Sequence, residues 1–274
     1  MQFDWYQASV PDTCPQVLMD AISKAEYFGS WETSIPLKGY HSGAHFLVGE
    51  QVHYRLSFGG QNQEYGPNIL SSGAAAPKLA QVLRHEFPLH RVSRVDACED
   101  FHHRDAYDYL RAKALDVARK QKVQVREIVK PLAASDDGRT LYLGSASTTQ
   151  VRIYEKGKQL GRGDEWVRAE AQLRPQKKVK DLAAHLSPLD VWALSKWSHL
   201  VAVQLGNADL KRIFPEVYQQ SDDDRAYHFM LKQYGNLLRR VKASHGSWET
   251  LGAQIGYDLD HFKDKDSSEP PGAD

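Results

Sequence analysis

Apolar positions alternate with polar ones in several short runs before residue 175 and recur at helical spacing after it. Residues 15–26 predict a short helix, with Pro15 at its start and Val17, Leu18 and Ile22 at helical spacing. Residues 45–48 and 52–58, joined by Gly49-Glu50, predict an antiparallel strand pair. Residues 74–87 read as a helix whose apolar side holds Leu79, Val82 and Leu83. The next strand covers residues 91–101. Its alternation puts Val92, Arg94, Asp96, Cys98 and Asp100 on one face and Ser93, Val95, Ala97, Glu99 and Phe101 on the other. A helix over residues 105–121 follows, with Asp105 as its N-cap and Tyr109, Leu110, Ala114 and Val117 in its apolar set. Residues 123–129 predict a further strand, and residues 135–138 a turn.

Residues 138–144 and 150–157 flank a turn of small polar residues and predict a β-hairpin. In its second strand Arg152, Tyr154 and Lys156 share one face, while Val151 and Ile153 point the other way. The last strand spans residues 165–174 and is closed by Pro175. Residues 179–203, 222–241 and 247–255 are helical by period. From Asp264 onward, with Glu269-Pro270-Pro271-Gly272, the composition predicts a disordered tail. The word Gly29-Ser30-Trp31-Glu32-Thr33 recurs at Gly246-Ser247-Trp248-Glu249-Thr250, without companions at a fixed period, so no repeat architecture follows. The predicted fold is α+β: a mainly antiparallel sheet with helices on one face, followed by a helical C-terminal part. The expected division is a β-rich domain over residues 1–175, a helical part over 176–262 and an acidic tail over 263–274.

Composition narrows the class. The 274 residues are 41% hydrophobic and 26% charged, an ordinary globular balance. No apolar run approaches the ~18 residues of a membrane span. The first residues have neither a basic start nor an apolar core, so no signal peptide is expected. Cys14 and Cys98 are the only cysteines, which excludes a disulfide framework and an all-Cys zinc site and points to the cytoplasm. Formal net charge is zero, against a binder that coats its whole surface with nucleic acid. Basic residues do cluster between 111 and 130 and at Lys177, Lys178 and Lys180, with an acidic C-terminal end. That distribution suits a DNA-handling protein, and equally a solvated helix face with a solubilising tail.

Three strands repeat one pattern. Arg94, Asp96 and Asp100 share a face; so do Arg152, Tyr154 and Lys156; so do Arg168, Glu170 and Arg174. Set side by side, they make a plate of carboxylates and cations around a phenol. For any one strand a solvated sheet face explains the pattern. Taken together, they suit phosphoryl transfer. A phenol titrates near ~10 and needs help to attack at neutral pH. Adjacent cations lower that value and bind phosphate oxygens. Asp96 and Glu170, with Asp100 behind them, are candidate oxygen ligands for Mg²⁺ or Mn²⁺. Arg168, Arg174, Lys177 and Lys178 are candidate DNA contacts.

At these residues the chain resembles the replication initiation factors of rolling-circle plasmids and filamentous phages, in the branch lacking the paired-histidine metal motif. The resemblance rests on Arg94-Val95-Asp96-Ala97-Cys98-Glu99-Asp100-Phe101, on Leu141-Tyr142-Leu143-Gly144-Ser145 leading to Arg152-Ile153-Tyr154-Glu155-Lys156-Gly157, and on Trp166-Val167-Arg168-Ala169-Glu170. It extends to Gly246-Ser247-Trp248-Glu249-Thr250-Leu251-Gly252. It implies an endonuclease that nicks and rejoins origin DNA, single-stranded or supercoiled, through a 5′-phosphotyrosyl link on Tyr154. Arg152 and Lys156 would hold the phosphate, and Asp96 and Glu170 fall where the family's metal-binding acids are expected. A host helicase and a second copy of the chain are further partners to consider, and no membrane is involved. One position departs: Gln159 stands five residues after the tyrosine, where an acid is associated with the plasmid proteins.

Other readings remain open. His102-His103 is adjacent rather than spaced as a strand metal pair requires, and no Arg…His-x-x-Arg…Tyr series of a tyrosine recombinase occurs. A non-enzymatic DNA-binding regulator would use the same sheet face for single strands and its C-terminal helices for duplex. A protein whose polar face is only structural is the third reading.

Overall fold

The computed structural model describes residues 1–129, 138–162, 165–207, 209–213 and 222–261. The turn expected at 135–138 lies outside them except for Gly138, as does the acidic tail. Strands β1 (Gln2–Ser9), β2 (Ser30–Ser34), β3 (Ser42–Val48), β4 (Gln51–Phe58), β5 (Asn68–Ser72), β6 (Arg91–His102), β7 (Val125–Ile128), β8 (Thr140–Gly144), β9 (Thr149–Glu155) and β10 (Trp166–Leu173) form one sheet. Their order is β2-β3-β4-β5-β1-β6-β10-β9-β8-β7, and neighbours run antiparallel throughout.

One face of this sheet is apolar. Val95 and Ala97 of β6, Val151 and Ile153 of β9, and Val167, Ala169 and Ala171 of β10 are all buried there. Helices α1 (Pro15–Glu26), α2 (Ala76–Glu86) and α3 (Ala106–Gln121) bring their apolar stripes to the same core, including Leu18, Leu79, Leu83, Tyr107, Leu110 and Ala114. Tyr109 of α3, expected inside, is exposed. Asp105 precedes α3 in the left-handed region and makes no side-chain capping bond, so the expected N-cap contact is absent.

A short turn, α4 (Lys156–Gln159), follows β9 directly. The helical run expected over 179–203 is three helices: α5 (Val179–Ala183), α6 (Pro188–Ala193) and α7 (Lys196–Gln204). The break has a local cause. Ser187 caps α6, accepting from the Asp190 backbone while Asp190 accepts from the Ser187 backbone, and Pro188 fills the first turn. The sequence pattern grouped these helices with the C-terminal part, but α5 and α6 pack on β6 and α7 on α3 and β9. The chain divides into two compact units, residues 1–216 and 217–274. The second contains α8 (Asp222–His245) and α9 (Trp248–His261). Among the described residues no helix is long and apolar enough to cross a membrane.

Two β-bulges decide what reaches the polar face. Between Gln7↔Arg94 and Ala8↔Val92, β6 carries one extra residue, Ser93. This rotates Val92 into the core beside Val95, whereas strict alternation grouped it with Arg94 and Asp96. Between Phe3↔Ala97 and Trp5↔Asp96 the extra residue is Asp4 of β1. Phe3 and Tyr6 remain in the core, while Asp4 and Trp5 meet side chains of the polar face. β1 lies at the centre of the sheet, yet its side chains show no regular alternation in the sequence, because this bulge breaks its period.

His90, just before β6, is buried and joins the sheet to its helices. Its Nδ1–H donates to Phe87 O at 2.8 Å, so Nε2 accepts from the Tyr6 hydroxyl at 2.8 Å. Burial, foremost, pushes its pKa down to about 4. The unfolded chain therefore binds more protons than the folded one between that value and the ordinary ~6.5, and stability falls on acidification through this window. Thermal or urea melts are expected to show a loss of up to ~3 kcal/mol from this residue between pH 6.5 and pH 4. His90→Gln, which keeps hydrogen-bonding capacity without the titration, should flatten that part of the profile.

Candidate active site

The three strands with polar faces are neighbours in the order β6-β10-β9. Their register sets the rows of the plate. Asp100, Arg168 and Tyr154 lie abreast, followed by Cys98, Glu170 and Arg152, then Asp96, Gln172 and Gln150. The adjacency expected from sequence is therefore present, and the register determines which acid meets which base.

Tyr154 is buried, with 8% of its surface exposed, and its hydroxyl donates to Glu170 Oε2 at 3.3 Å. The other oxygen of Glu170 accepts from Arg152 Nη2. The same guanidinium lies 3.5 Å from Asp96 Oδ2. Arg94 grips Asp96 with both arms, Nε to Oδ1 at 2.9 Å and Nη2 to Oδ2 at 2.5 Å, and stacks over the Trp5 ring at 4.2 Å. Arg168 holds Asp100 through Nε at 2.7 Å and Nη2 at 2.8 Å, and Asp4 through Nη1 at 2.5 Å. One buried guanidinium thus joins β1, β6 and β10.

Lys156 is not part of the strand. It begins α4, yet its ammonium still lies 5.6 Å from the Tyr154 ring centroid. Gln159, one turn later, accepts from Lys156 Nζ at 3.4 Å. Glu155 points to the opposite side of the sheet, where it pairs with Arg139 at 3.1 Å and Lys158 at 3.3 Å. That pairing accounts for an acid on the nominally apolar face.

Electrostatics differ from the simple expectation of a phenol acidified by cations. Burial pushes the Tyr154 hydroxyl well above its ordinary value, and the charge of Glu170 pushes further. Arg168 and Arg152 pull the other way without offsetting this. Burial also raises Glu170 to about 6, aided by the neighbouring Asp96 and opposed by Arg152. The site therefore pairs a neutral phenol with a carboxyl that titrates close to neutrality, an acceptor suited to exchanging its proton. For Asp100 burial acts upward, but the hydrogen bonds and charge of Arg168 hold it below the usual carboxylate range. Burial raises the thiol of Cys98 to about 12, so it is inert.

The donors differ in their suitability for a divalent ion. Among the described residues no group of three or more His, Cys, Asp or Glu side chains is arranged to hold a metal. Asp100 lies abreast of Arg168, which engages both its oxygens, and has no contact with Glu170 or Asp96 among those described. Asp96 and Glu170 do converge, since the one guanidinium of Arg152 reaches both. Two carboxylates complemented by water and phosphate oxygens are a donor set that Mg²⁺ or Mn²⁺ accepts. Both are already held, Asp96 by Arg94 and Glu170 by Arg152 and Tyr154, so an ion between them would share oxygens with those donors, using the lone pairs that a carboxylate keeps beside one hydrogen bond per oxygen.

Arg174 follows β10 at the far end of the plate, where burial and then the charge of Arg94 lower its pKa. Lys177 and Lys178 lie beyond it on the approach to α5, both exposed and not brought to Tyr154. The basic residues of α3 lie on the other side of the sheet from the phenol, with Arg111 bound to Glu127 at 2.7 Å and Lys120 to Asp116 at 2.7 Å. Arg126 of β7 lies 4.6 Å from the ring centroid of Tyr142, beside Arg152 in the register. Sequence reasoning missed Asp4 and Trp5, for which no periodic signal exists across the bulge.

Comparison with known proteins agrees with this architecture. Residues 91–195, from the start of β6 past α6, match the replication initiation factor family. The resemblance read from the motifs therefore holds over the stretch that contains Tyr154, Arg152, Lys156, Asp96, Glu170 and Arg168. Among solved structures, the rolling circle replication initiator protein from Geobacillus stearothermophilus superposes with a TM-score of 0.50 at 18% identity, over 70% of this chain and 82% of that one. At this identity the likeness is one of fold. No curated protein matches the chain.

Arg168→Ala would leave Asp4 and Asp100 without their shared cation. Urea melts are expected to show a loss of about 3 kcal/mol, since breaking a largely buried ion pair strands the remaining charge. Asp4→Asn should cost less, because Arg168 keeps both bonds to Asp100.

Proposed function

We propose that this chain initiates DNA replication by cleaving one strand of an origin, with Tyr154 as the nucleophile. The observation that carries the reading is the phenol donating to buried Glu170 while Arg152 contacts the same carboxylate. The match of residues 91–195 to replication initiation factors supports the biological role.

In this reading a phosphodiester lies over Arg152 and Lys156, whose cations hold its non-bridging oxygens. The Tyr154 oxygen attacks phosphorus and Glu170 takes the phenolic proton. The bond to the 3′-oxygen breaks, the departing oxygen takes a proton from water to become a 3′-hydroxyl, and Glu170 passes the phenolic proton to solvent. The 5′-phosphate remains on the tyrosine. Attack by a 3′-hydroxyl reverses the sequence, so rejoining needs no external energy. Asp96 and Glu170 are the residues that would hold Mg²⁺ or Mn²⁺, which when bound supplies Lewis-acid polarisation of the phosphate. Arg174 would line the path of the DNA, with Lys177 and Lys178 meeting it farther away, while Arg168, expected there from sequence, is buried against Asp4 and Asp100.

Burial of Tyr154 has a consequence for this chemistry. Its proton leaves only when phosphate and cations reorganise around it, so free protein should react slowly with general phenol reagents.

The decisive experiment is cleavage of supercoiled and single-stranded origin-region DNA with Mg²⁺ or Mn²⁺, beside Tyr154→Phe. The expected product is a nick with protein on its 5′ end, absent from the variant. Binding by both proteins with no nick from either would instead establish the non-enzymatic regulator. Millimolar Mg²⁺ is also expected to raise the wild-type melting temperature by mass action. That rise should be lost in Asp96→Asn combined with Glu170→Gln; an unchanged rise would remove the acid pair as the metal site.

A further inference from the structure

Trp166 opens β10 on the same face as Tyr154, one position outward from Arg168. It lies roughly 7 Å along the strand from the row of the phenol, by the repeat of a pleated strand. Its register partner is His102 of β6, and the two rings stack with centroids 5.6 Å apart and planes 29° from parallel. His102 is exposed, so the pair presents an aromatic surface to solvent. The Arg162 guanidinium lies 5.8 Å from the Trp166 ring centroid.

A cavity of about 490 Å³, lined by Tyr107, Arg139 and Glu155 with Arg104, Arg162 and Trp166 at its border, lies around the strand ends on the helix side of the sheet, opposite the phenol. Arg139 in the same cavity is engaged by Glu155 and Asp108. Arg104 and Arg162 have no carboxylate partner among the described residues. An aromatic stack beside two guanidiniums without a carboxylate partner among the described residues is the combination that binds single strands, rings against bases and cations against the backbone.

We propose that the His102–Trp166 stack is the platform for the base adjacent to the phosphate attacked by Tyr154. Arg104, just after β6, and Arg162, just before β10, receive the backbone as it leaves the platform at the strand ends. The inference rests on the strand-cleavage reading and adds to it a defined nucleotide position. Stacking of this kind tolerates any base, so the subsite holds the strand in place without selecting its sequence.

The test uses the full chain and a fluorescein-labelled oligothymidylate, with binding followed by anisotropy. Trp166→Leu is expected to bind ~10-fold more weakly, the size of one lost stacked base, and Trp166→Phe to stay within about two-fold of wild type. Arg162→Ala should reduce the dependence of affinity on salt, while Trp166→Leu should not, because stacking releases no counterions. Thermal melts check that each variant is folded. If Trp166→Leu fails to fold, photo-crosslinking of wild type to the same strand carrying 5-iododeoxyuridine replaces it. A crosslink at residue 102 or 166 then supports the platform, and crosslinks found only elsewhere overturn it. Unchanged affinity in folded Trp166→Leu, with cleavage by wild type intact, overturns the platform alone. Neither binding nor cleavage by wild type overturns the underlying reading, and the platform with it.

Discussion

A single guanidinium organises the polar side of this sheet. Arg168 extends from β10, takes both oxygens of Asp100 on β6 and reaches Asp4 on β1. Residues 4, 100 and 168 are far apart in the chain, so their meeting requires the strand order itself. A planar fork with five donors can grip one carboxylate through two parallel bonds and still reach a second, a geometry that lysine's compact ammonium does not reproduce. With Asp4 and Asp100 taken up in this way, Glu170, two residues further along β10, is left to Arg152, Asp96 and the phenol.

The two faces of the sheet contribute differently. The apolar face, closed by α1 to α3 and α5 to α7, buries the aliphatic side chains that stabilise the fold. On the other face Asp96, Arg168, Glu170 and Gln172 are just as inaccessible. Burying charges contributes little net stability, because desolvation offsets most of the attraction. A protein under selection for stability alone would favour apolar residues there. Retention of acids, guanidiniums and a neutral phenol in one dry cluster is better explained by chemistry, since such surroundings shift protonation equilibria toward the values that proton transfer uses.

The central hairpin was legible because its period of two is unbroken from Val151 to Tyr154, with apolar and polar positions cleanly separated. The same held for β10 and most of β6. Legibility ended where the backbone departs from its period. Ser93 adds a residue to β6, and Val92 turns inward against the simple alternation. Asp4 does the same in β1, concealing both a central strand and a member of the ion-pair network. Lys156 has strand parity in the sequence but begins a helical turn, and approaches the phenol by a different route.

From sequence alone the chain determined an α+β fold, the alternation of its three polar strands and the set of residue types that surround Tyr154. Those are local properties, written in side-chain period and turn residues. The tertiary structure decided which acid meets which base, that the phenol is neutral and buried rather than acidified, and that Asp100 serves Arg168 while Asp96 faces Glu170. Each of these depends on strand order, register and desolvation. They arise from contacts between residues distant in the chain, and no local pattern encodes them.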